Sequence, residues 1–343
     1  MFLTQQADRD RLPVALLTGF LGSGKTTLVN ALLRAPRMAN TAVAINEFGE
    51  VPIDPALIDH GADRTVVMAN GCLCCNLAGD LDQAVMRLFA RRENGEVPRF
   101  SRLVIEPSGL ADPAPIAQAI LRNPILSRAL RLEAIVATVD SLFATAQLSR
   151  HAETRKQISL ADTLVLTKPD LADEAASAGL RETLHALNPL APIHVARHGE
   201  VDAGALFPPH FLDPACDLPP RRTFLFADDT APAPAHLGGI ASVSLGADQP
   251  LRWPAFDLWL RGIRLAHAER LLRLKGILNI AGVDGPVVVQ GVHHVLNTPV
   301  ERDAWPDRDR RSRLVMIGDA ATTGAARASW ADALPDMVAP TRH

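Results

Sequence analysis

No apolar run in this 343-residue chain approaches the roughly 18–20 residues that a membrane span requires. Met1 to Arg11 also lacks a basic stretch followed by an apolar one, the pattern of a secretory signal. The expectation is a cytoplasmic protein that engages no membrane. Charge of one sign is equally scarce. The formal net charge is −3 and the pI near 6.4, so no global electrostatic case exists for nucleic-acid binding. Cysteine is sparse: of four, three lie between Cys72 and Cys75. That distribution suits metal or redox chemistry in a reducing compartment better than a disulfide framework. The length accommodates one large domain or two ordinary ones.

The most informative stretch is Gly19-Phe20-Leu21-Gly22-Ser23-Gly24-Lys25-Thr26-Thr27, which satisfies the phosphate-loop pattern G-x4-G-K-[ST]. Val14-Ala15-Leu16-Leu17 before it suits a buried strand, and Leu28, Leu32 and Leu33 after it share one face of a helix. Strand, glycine loop and helix are the context that the pattern needs. Successive N–H groups and the helix N-terminus then point at phosphate oxygens. Gly22, Ser23, Gly24, Lys25, Thr26 and Thr27 are the candidate nucleotide-binding residues. Lys25 is expected to bridge the β- and γ-phosphates, and the Thr26 hydroxyl to ligate Mg2+.

Apolar, β-branched runs alternate with helical patterns through the first two hundred residues. Strands are expected at 14–18, 41–45, 65–69, 102–105, 134–139, 163–167 and 192–196. Helices are expected at 27–35, 80–92, 113–122, 151–160 and 173–187. This alternation indicates an α/β fold with a largely parallel sheet, a P-loop NTPase domain over residues 1–207. Seven prolines between Pro208 and Pro234 mark residues 208–237 as a linker. A smaller α+β domain with a mostly antiparallel sheet follows at 238–343. Its strands are expected at 241–245, 276–279, 287–290 and 314–317, and its helices at 254–262, 267–274 and 325–335. His293 and His294 are read as neighbours on a strand.

Three further segments carry chemistry. Leu103-Val104-Ile105 ends in Glu106, and an acid at the carboxyl end of a strand is where a phosphate-loop enzyme holds Mg2+. Thr167-Lys168-Pro169-Asp170 follows Leu164-Val165-Leu166. A carboxylate at Asp170 accepts from the ring N–H and 2-amino group of guanine, which adenine does not offer, so GTP is favoured over ATP. The Lys168 stem would lie over the base plane. Thr167 stands where asparagine is more usual, and a weaker loop anchor is expected there. The third segment is Gly71-Cys72-Leu73-Cys74-Cys75-Asn76. Cys72 and Cys74 can chelate one soft or borderline ion, and Cys75 can join them. Three sulfurs suit Zn2+, with Cu(I) or Co2+ open on ligand type. Glu47, Glu50 or water can complete the shell. The rival readings, apolar filling by cysteine and a redox pair, fit the glycine turn and its frame less well.

Together GFLGSGKTT, NEFGEV-x-ID, GCLCCN, EPSGLADP and TKPD resemble the CobW family of metal-handling GTPases, within the SIMIBI class of phosphate-loop proteins. RLKGILNIAG, QGVHHV and RRSRLVMIG extend the resemblance over nearly the whole chain. The resemblance implies that Lys25 and Glu106 serve catalysis, that Thr26 and Glu106 bind magnesium, and that Lys168 and Asp170 read guanine. It also implies that Cys72, Cys74 and Cys75 hold the transition metal, with Glu47 and Glu50 as switch acids beside it. The expected function is a slow, Mg2+-dependent GTPase metallochaperone that passes a metal, zinc foremost, to a client metalloprotein. Nucleotide-dependent self-association is expected with it. The alternatives are cobalt supply for cobalamin synthesis or nitrile hydratase, and a non-catalytic metal-dependent regulator using GTP as a structural ligand. Proline stands between the domains where many members carry a histidine-rich tract, which argues against extra metal buffering.

Overall fold

The computed structural model describes residues 2–45, 66–69, 77–207 and 239–339. The expected linker, Glu47, Glu50 and the cysteine cluster lie outside the described residues. The chain divides into two compact units, one of Arg11–Thr183 with Ala191–Pro208, the other of Met1–Asp10, Leu184–Leu190 and Pro209–His343. Two short elements, β1 (Leu3–Thr4) and α1 (Gln5–Arg9), open the chain and belong to the second unit.

The first unit is α/β, as expected. Its elements run β2 (Leu12–Gly19), α2 (Lys25–Leu33), β3 (Thr41–Ile45), β4 (Val66–Ala69), α3 (Leu77–Glu93) and β5 (Arg102–Glu106). They continue with α4 (Ala114–Arg122), α5 (Leu126–Ala129), β6 (Leu130–Asp140), α6 (Ala144–Arg150), α7 (Ala152–Leu160), β7 (Thr163–Thr167), α8 (Glu174–Leu187), β8 (Ile193–Val195) and α9 (Ala203–Leu206). All seven strands are parallel, in the order β4-β3-β5-β2-β6-β7-β8. A parallel sheet is covered on both faces, so its strands read as continuous apolar runs. Val14, Ala15, Leu16 and Leu17 are accordingly fully buried. Leu28, Val29 and Leu32 of α2 pack with Leu17, Val104, Val136 and Val165. The strand order reverses about β2, with β5 on one side and β6 on the other. In open α/β sheets a ligand crevice lies outside the carboxyl ends of the strands at that place.

The second unit adds β9 (Ile240–Ala247), α10 (Trp253–Ala266), β10 (Leu271–Leu278), β11 (Val287–Val292), β12 (Val295–Leu296), β13 (Val300–Glu301), β14 (Ser312–Asp319) and α11 (Ala320–Met337). Its sheet runs β1-β13-β11-β10-β14-β9, antiparallel except where β1 joins β13, with β12 on β11. Phe256, Trp259 and Leu260 of α10 and Trp330 of α11 pack with Leu274, Leu278, Leu314 and Met316. Trp259 and Trp330 meet edge to face at 4.9 Å. A buried ion pair of 3.2 Å joins Arg302 to Asp8, which fixes α1 to this unit.

Two expectations fail here. Residues 267–274 are not a helix, because β10 begins at Leu271 and the expected strand at 276–279 is its second half. Leu271, Leu272 and Leu274 have a spacing that either structure accepts. All eight residues of β10 are buried between two neighbouring strands, Arg273 and Lys275 included. The flanking ladders decided the outcome, as no local pattern could. His293 and His294 are not on a strand either. They form the turn between β11 and β12, where His293 takes a left-handed φ of 51° and its N–H donates to Leu272 O.

Candidate nucleotide site

Gly19 closes β2 and Gly24 caps α2 in the left-handed region, with φ 89°. A side chain at Gly24 would be strained there, and the loop therefore turns on glycine. Ser23 N–H donates to Phe20 O at 3.1 Å, closing the turn. Its hydroxyl lies 2.6 Å from Thr138 Oγ1 of β6, inside the protein. Lys25 Nζ rests on Gly19 O and Phe20 O at 3.0 and 3.1 Å. This holds the ammonium over the loop at the N-terminus of α2, where backbone N–H groups and the helix dipole favour an anion. Thr27, two residues further along α2, is exposed.

On the β5 side, Thr26 Oγ1 donates to Glu106 Oε1 at 3.0 Å, and Glu106 is 1% exposed. A hydroxyl and a carboxylate so placed are the hard oxygen donors that Mg2+ takes beside a nucleotide. The donor set therefore fits the ion that the phosphate-loop pattern implies. Beyond Glu106 the chain folds against the phosphate loop. A Cβ added to Gly109 would come 2.7 Å from Leu21 N and 2.8 Å from Leu21 Cα, so only glycine permits this approach. The buried Gln157 of α7 holds the same segment, donating from Nε2 to Gly109 O at 3.1 Å and Ala111 O at 3.2 Å. Lys156 pairs with Asp112 at 2.9 Å nearby.

On the β6 side, the segment after β7 reaches back to the loop. Thr167 Oγ1 donates to Ser23 O at 2.8 Å. The anchor at this position is a direct hydroxyl-to-carbonyl bond, since threonine at a strand end carries its donor close enough to reach. Lys168, with φ 53°, sends Nζ to Gly22 O at 2.8 Å and to Asp140 Oδ2 at 2.6 Å. Asp170 is exposed in the short 3-10 turn that follows.

Nine of the candidate residues therefore converge on the carboxyl edge of the sheet: Gly22, Ser23, Gly24, Lys25, Thr26, Thr27, Glu106, Lys168 and Asp170. Cys72, Cys74, Cys75, Glu47 and Glu50 are outside the described residues. Among the described residues no group of three or more His, Cys, Asp or Glu is arranged to hold a metal ion. No described helix is long and apolar enough to cross a membrane. Two contributors went unnoticed in the sequence, Asp140 and Gln157. An acid ending the apolar run of β6 is the same signal that exposed Glu106, whereas nothing local marks Gln157.

Comparison with known proteins agrees with this geometry. The model of the CobW/HypB/UreG nucleotide-binding domain matches residues 13–195, and that of the cobalamin synthesis protein cobW C-terminal domain matches 240–334. The chain is 34% identical over 308 residues to the zinc chaperone YjiA of Escherichia coli, covering 90% of this chain and 94% of that one. It is 29% identical over 340 residues to the zinc chaperone CobW of Pseudomonas aeruginosa, with 90% and 88% covered. A Zn(II)-bound triple mutant of the YjiA GTPase superposes with a TM-score of 0.71 at 30% identity, over 94% of this chain and 98% of that one. With its loop, its strand-end glutamate and both domain matches in place, the chain belongs to the CobW/HypB/UreG family and is a P-loop GTPase.

Proposed function

We propose that this protein is a metallochaperone that carries a transition metal, zinc foremost, and surrenders it to a client metalloprotein under control of its GTP state. One register observation carries the reading. Ile45, the last residue of β3, pairs with both Ala69 at the end of β4 and Glu106 at the end of β5. The strands that precede the Glu47–Glu50 and Cys72–Cys75 stretches in the sequence thus end level with the strand end that supplies Glu106 to the Thr26–Glu106 pair. The zinc chaperone names of the two full-length relatives support zinc as cargo.

In this reading Lys25 and the loop N–H groups orient the triphosphate, and Thr26 and Glu106 would hold Mg2+. That ion would supply charge neutralisation at the phosphates. Lys168 and Asp170 select guanine. Gly109, pressed against Leu21, holds its segment against the phosphate loop, so that a change at the bound phosphates can reach it through the loop. No arginine is placed in the described part of the site, and turnover is accordingly slow.

Magnitudes decide how far the switch can act. Coupling between two sites is typically about 1–3 kcal/mol, whereas structural zinc sites are worth roughly 10–16 kcal/mol. Hydrolysis alone would loosen the ion without ejecting it. Client ligands must complete the transfer.

The test measures Zn2+ and Co2+ affinity with Mg2+-GTP and with Mg2+-GDP, for wild type and for Cys72→Ser/Cys74→Ser/Cys75→Ser. The expected result is a gap of roughly 5–150-fold between the nucleotide states, abolished in the triple variant. Equal affinities in both states remove the switch, and unchanged metal binding in the triple variant removes the cysteines.

A further inference from the structure

The base-recognition end of the site contains a carboxylate to which the reading of residues 167–170 assigns no role. Asp140 ends β6 with a side chain 2% exposed, and both of its oxygens are committed. Oδ2 takes the Lys168 ammonium at 2.6 Å. Oδ1 accepts from Leu142 N at 2.9 Å and from Phe143 N at 3.2 Å. Between them, Ser141 N donates to Thr167 O at 3.0 Å. One strand end therefore ties together the Leu142–Phe143 turn, the 167–170 segment and, through Lys168 and Gly22 O, the phosphate loop.

Three facts separate this from an ordinary turn-capping aspartate. A turn needs one carboxylate oxygen, and here the second is directed to a cation. That cation belongs to a lysine held at φ 53° and ψ 42°, a region that non-glycine residues rarely occupy and that persists only where surrounding contacts impose it. Finally, the turn leaves two large apolar side chains in the open, Leu142 at 46% and Phe143 at 53% exposure.

We propose that Asp140 is the positioning residue of the base subsite, setting the Lys168 stem and the Leu142–Phe143 turn as the two walls between which a guanine ring is received. The proposal rests on the assignment of guanine reading to Lys168 and Asp170. It adds that both walls are held by one buried carboxylate before nucleotide arrives. Asp140 touches no substrate. It acts by keeping Lys168 in place and the apolar turn at a fixed distance from it.

The variant Asp140→Asn keeps the shape and the Oδ1 acceptor while removing the charge that faces Lys168. GTP KM and GDP Kd are expected to rise roughly tenfold while kcat stays within about twofold, because the phosphates are still gripped by Lys25 and the loop. In a Lys168→Met background the same substitution should add less than about twofold, since the partner is already gone. Phe143→Ala, at an exposed position, should weaken GDP binding severalfold without loss of thermal stability. Unchanged KM and Kd in Asp140→Asn, or a full additional loss in Lys168→Met, would each overturn the role of Asp140. Wild-type GDP affinity in Phe143→Ala would overturn the role of the turn. Asp170→Asn tests the underlying assignment separately: it should exchange guanosine for xanthosine diphosphate as the preferred ligand. If it does not, the guanine reading fails, whatever the cycle at Asp140 and Lys168 returns.

Discussion

Replacing Thr167 by valine removes one hydrogen-bond donor and almost nothing else. The side chain is 6% exposed, and its hydroxyl proton goes to Ser23 O at 2.8 Å, with Val139 O more distant at 3.3 Å. The Cβ and Cγ2 that lie against Gly24 are retained in valine, so packing is preserved. What remains is a buried carbonyl on the phosphate loop without its hydroxyl partner, which costs about 1–3 kcal/mol. If that cost falls on the ordered form of the loop, the fraction of molecules with a competent loop drops. GDP Kd then rises by at most roughly 5-fold for 1 kcal/mol and roughly 30-fold for 2 kcal/mol, the limits reached when the competent loop is the minor form. Urea unfolding at constant m-value measures the first quantity, and titration with a fluorescent GDP analogue measures the second. A variant that unfolds with wild-type stability and binds GDP within twofold of wild type would refute the anchoring role of Thr167. Lost stability with unchanged affinity would leave Thr167 as a support of the fold alone.

Two further outcomes follow from the geometry. Gly109→Ala introduces a Cβ only 2.7 Å from Leu21 N, a backbone atom that cannot rotate away. The 107–112 segment must withdraw by several tenths of an ångström, so kcat for GTP should fall roughly tenfold or more with GDP affinity nearly unchanged; wild-type kcat would contradict this. In the second unit, a side-chain hydrogen bond from Arg311, with the Arg313 charge nearby, holds the Asp309 carboxyl at about 2, below its ordinary value of 3.8. Because the folded pKa is depressed, its stabilisation is present above pH ~4 and is lost as pH falls toward 2. The stability gap between wild type and Asp309→Asn seen near neutrality should therefore close over that interval in denaturant titrations; a gap that persists at pH 2 would contradict the pairing.

Much of the first unit was legible because its strands are buried on both faces and stand out as apolar runs. The phosphate loop was legible because its glycines, lysine and threonine leave few structural alternatives. Glu106 and the 167–170 segment were found by position, each at the end of such a run. Asp140 carries the same signal, but no motif surrounds it. Gln157 left no trace, since its role depends on a helix laid against a segment some fifty residues earlier, through hydrogen bonds separated by 48 and 46 positions. The second unit was harder for a related reason. β10 contains Leu271, Leu272 and Leu274 with two cations, a pattern that fits either a helix or a strand until β11 and β14 are known to flank it. β1 is a two-residue edge strand, too short for any periodicity to show.

That edge strand bears on how the polypeptide can be made. Leu3 and Thr4 pair with Val300 and Glu301, and Asp8 pairs with Arg302. At a ribosome adding about 5–20 residues per second, the leading segment waits roughly 15–60 seconds for them. The whole of the parallel sheet is translated in that interval. A substitution that breaks the β1 pairing or the Asp8–Arg302 ion pair will therefore disturb a part of the sheet that is completed late, and a fragment beginning after the phosphate-loop unit will lack a piece of its own architecture.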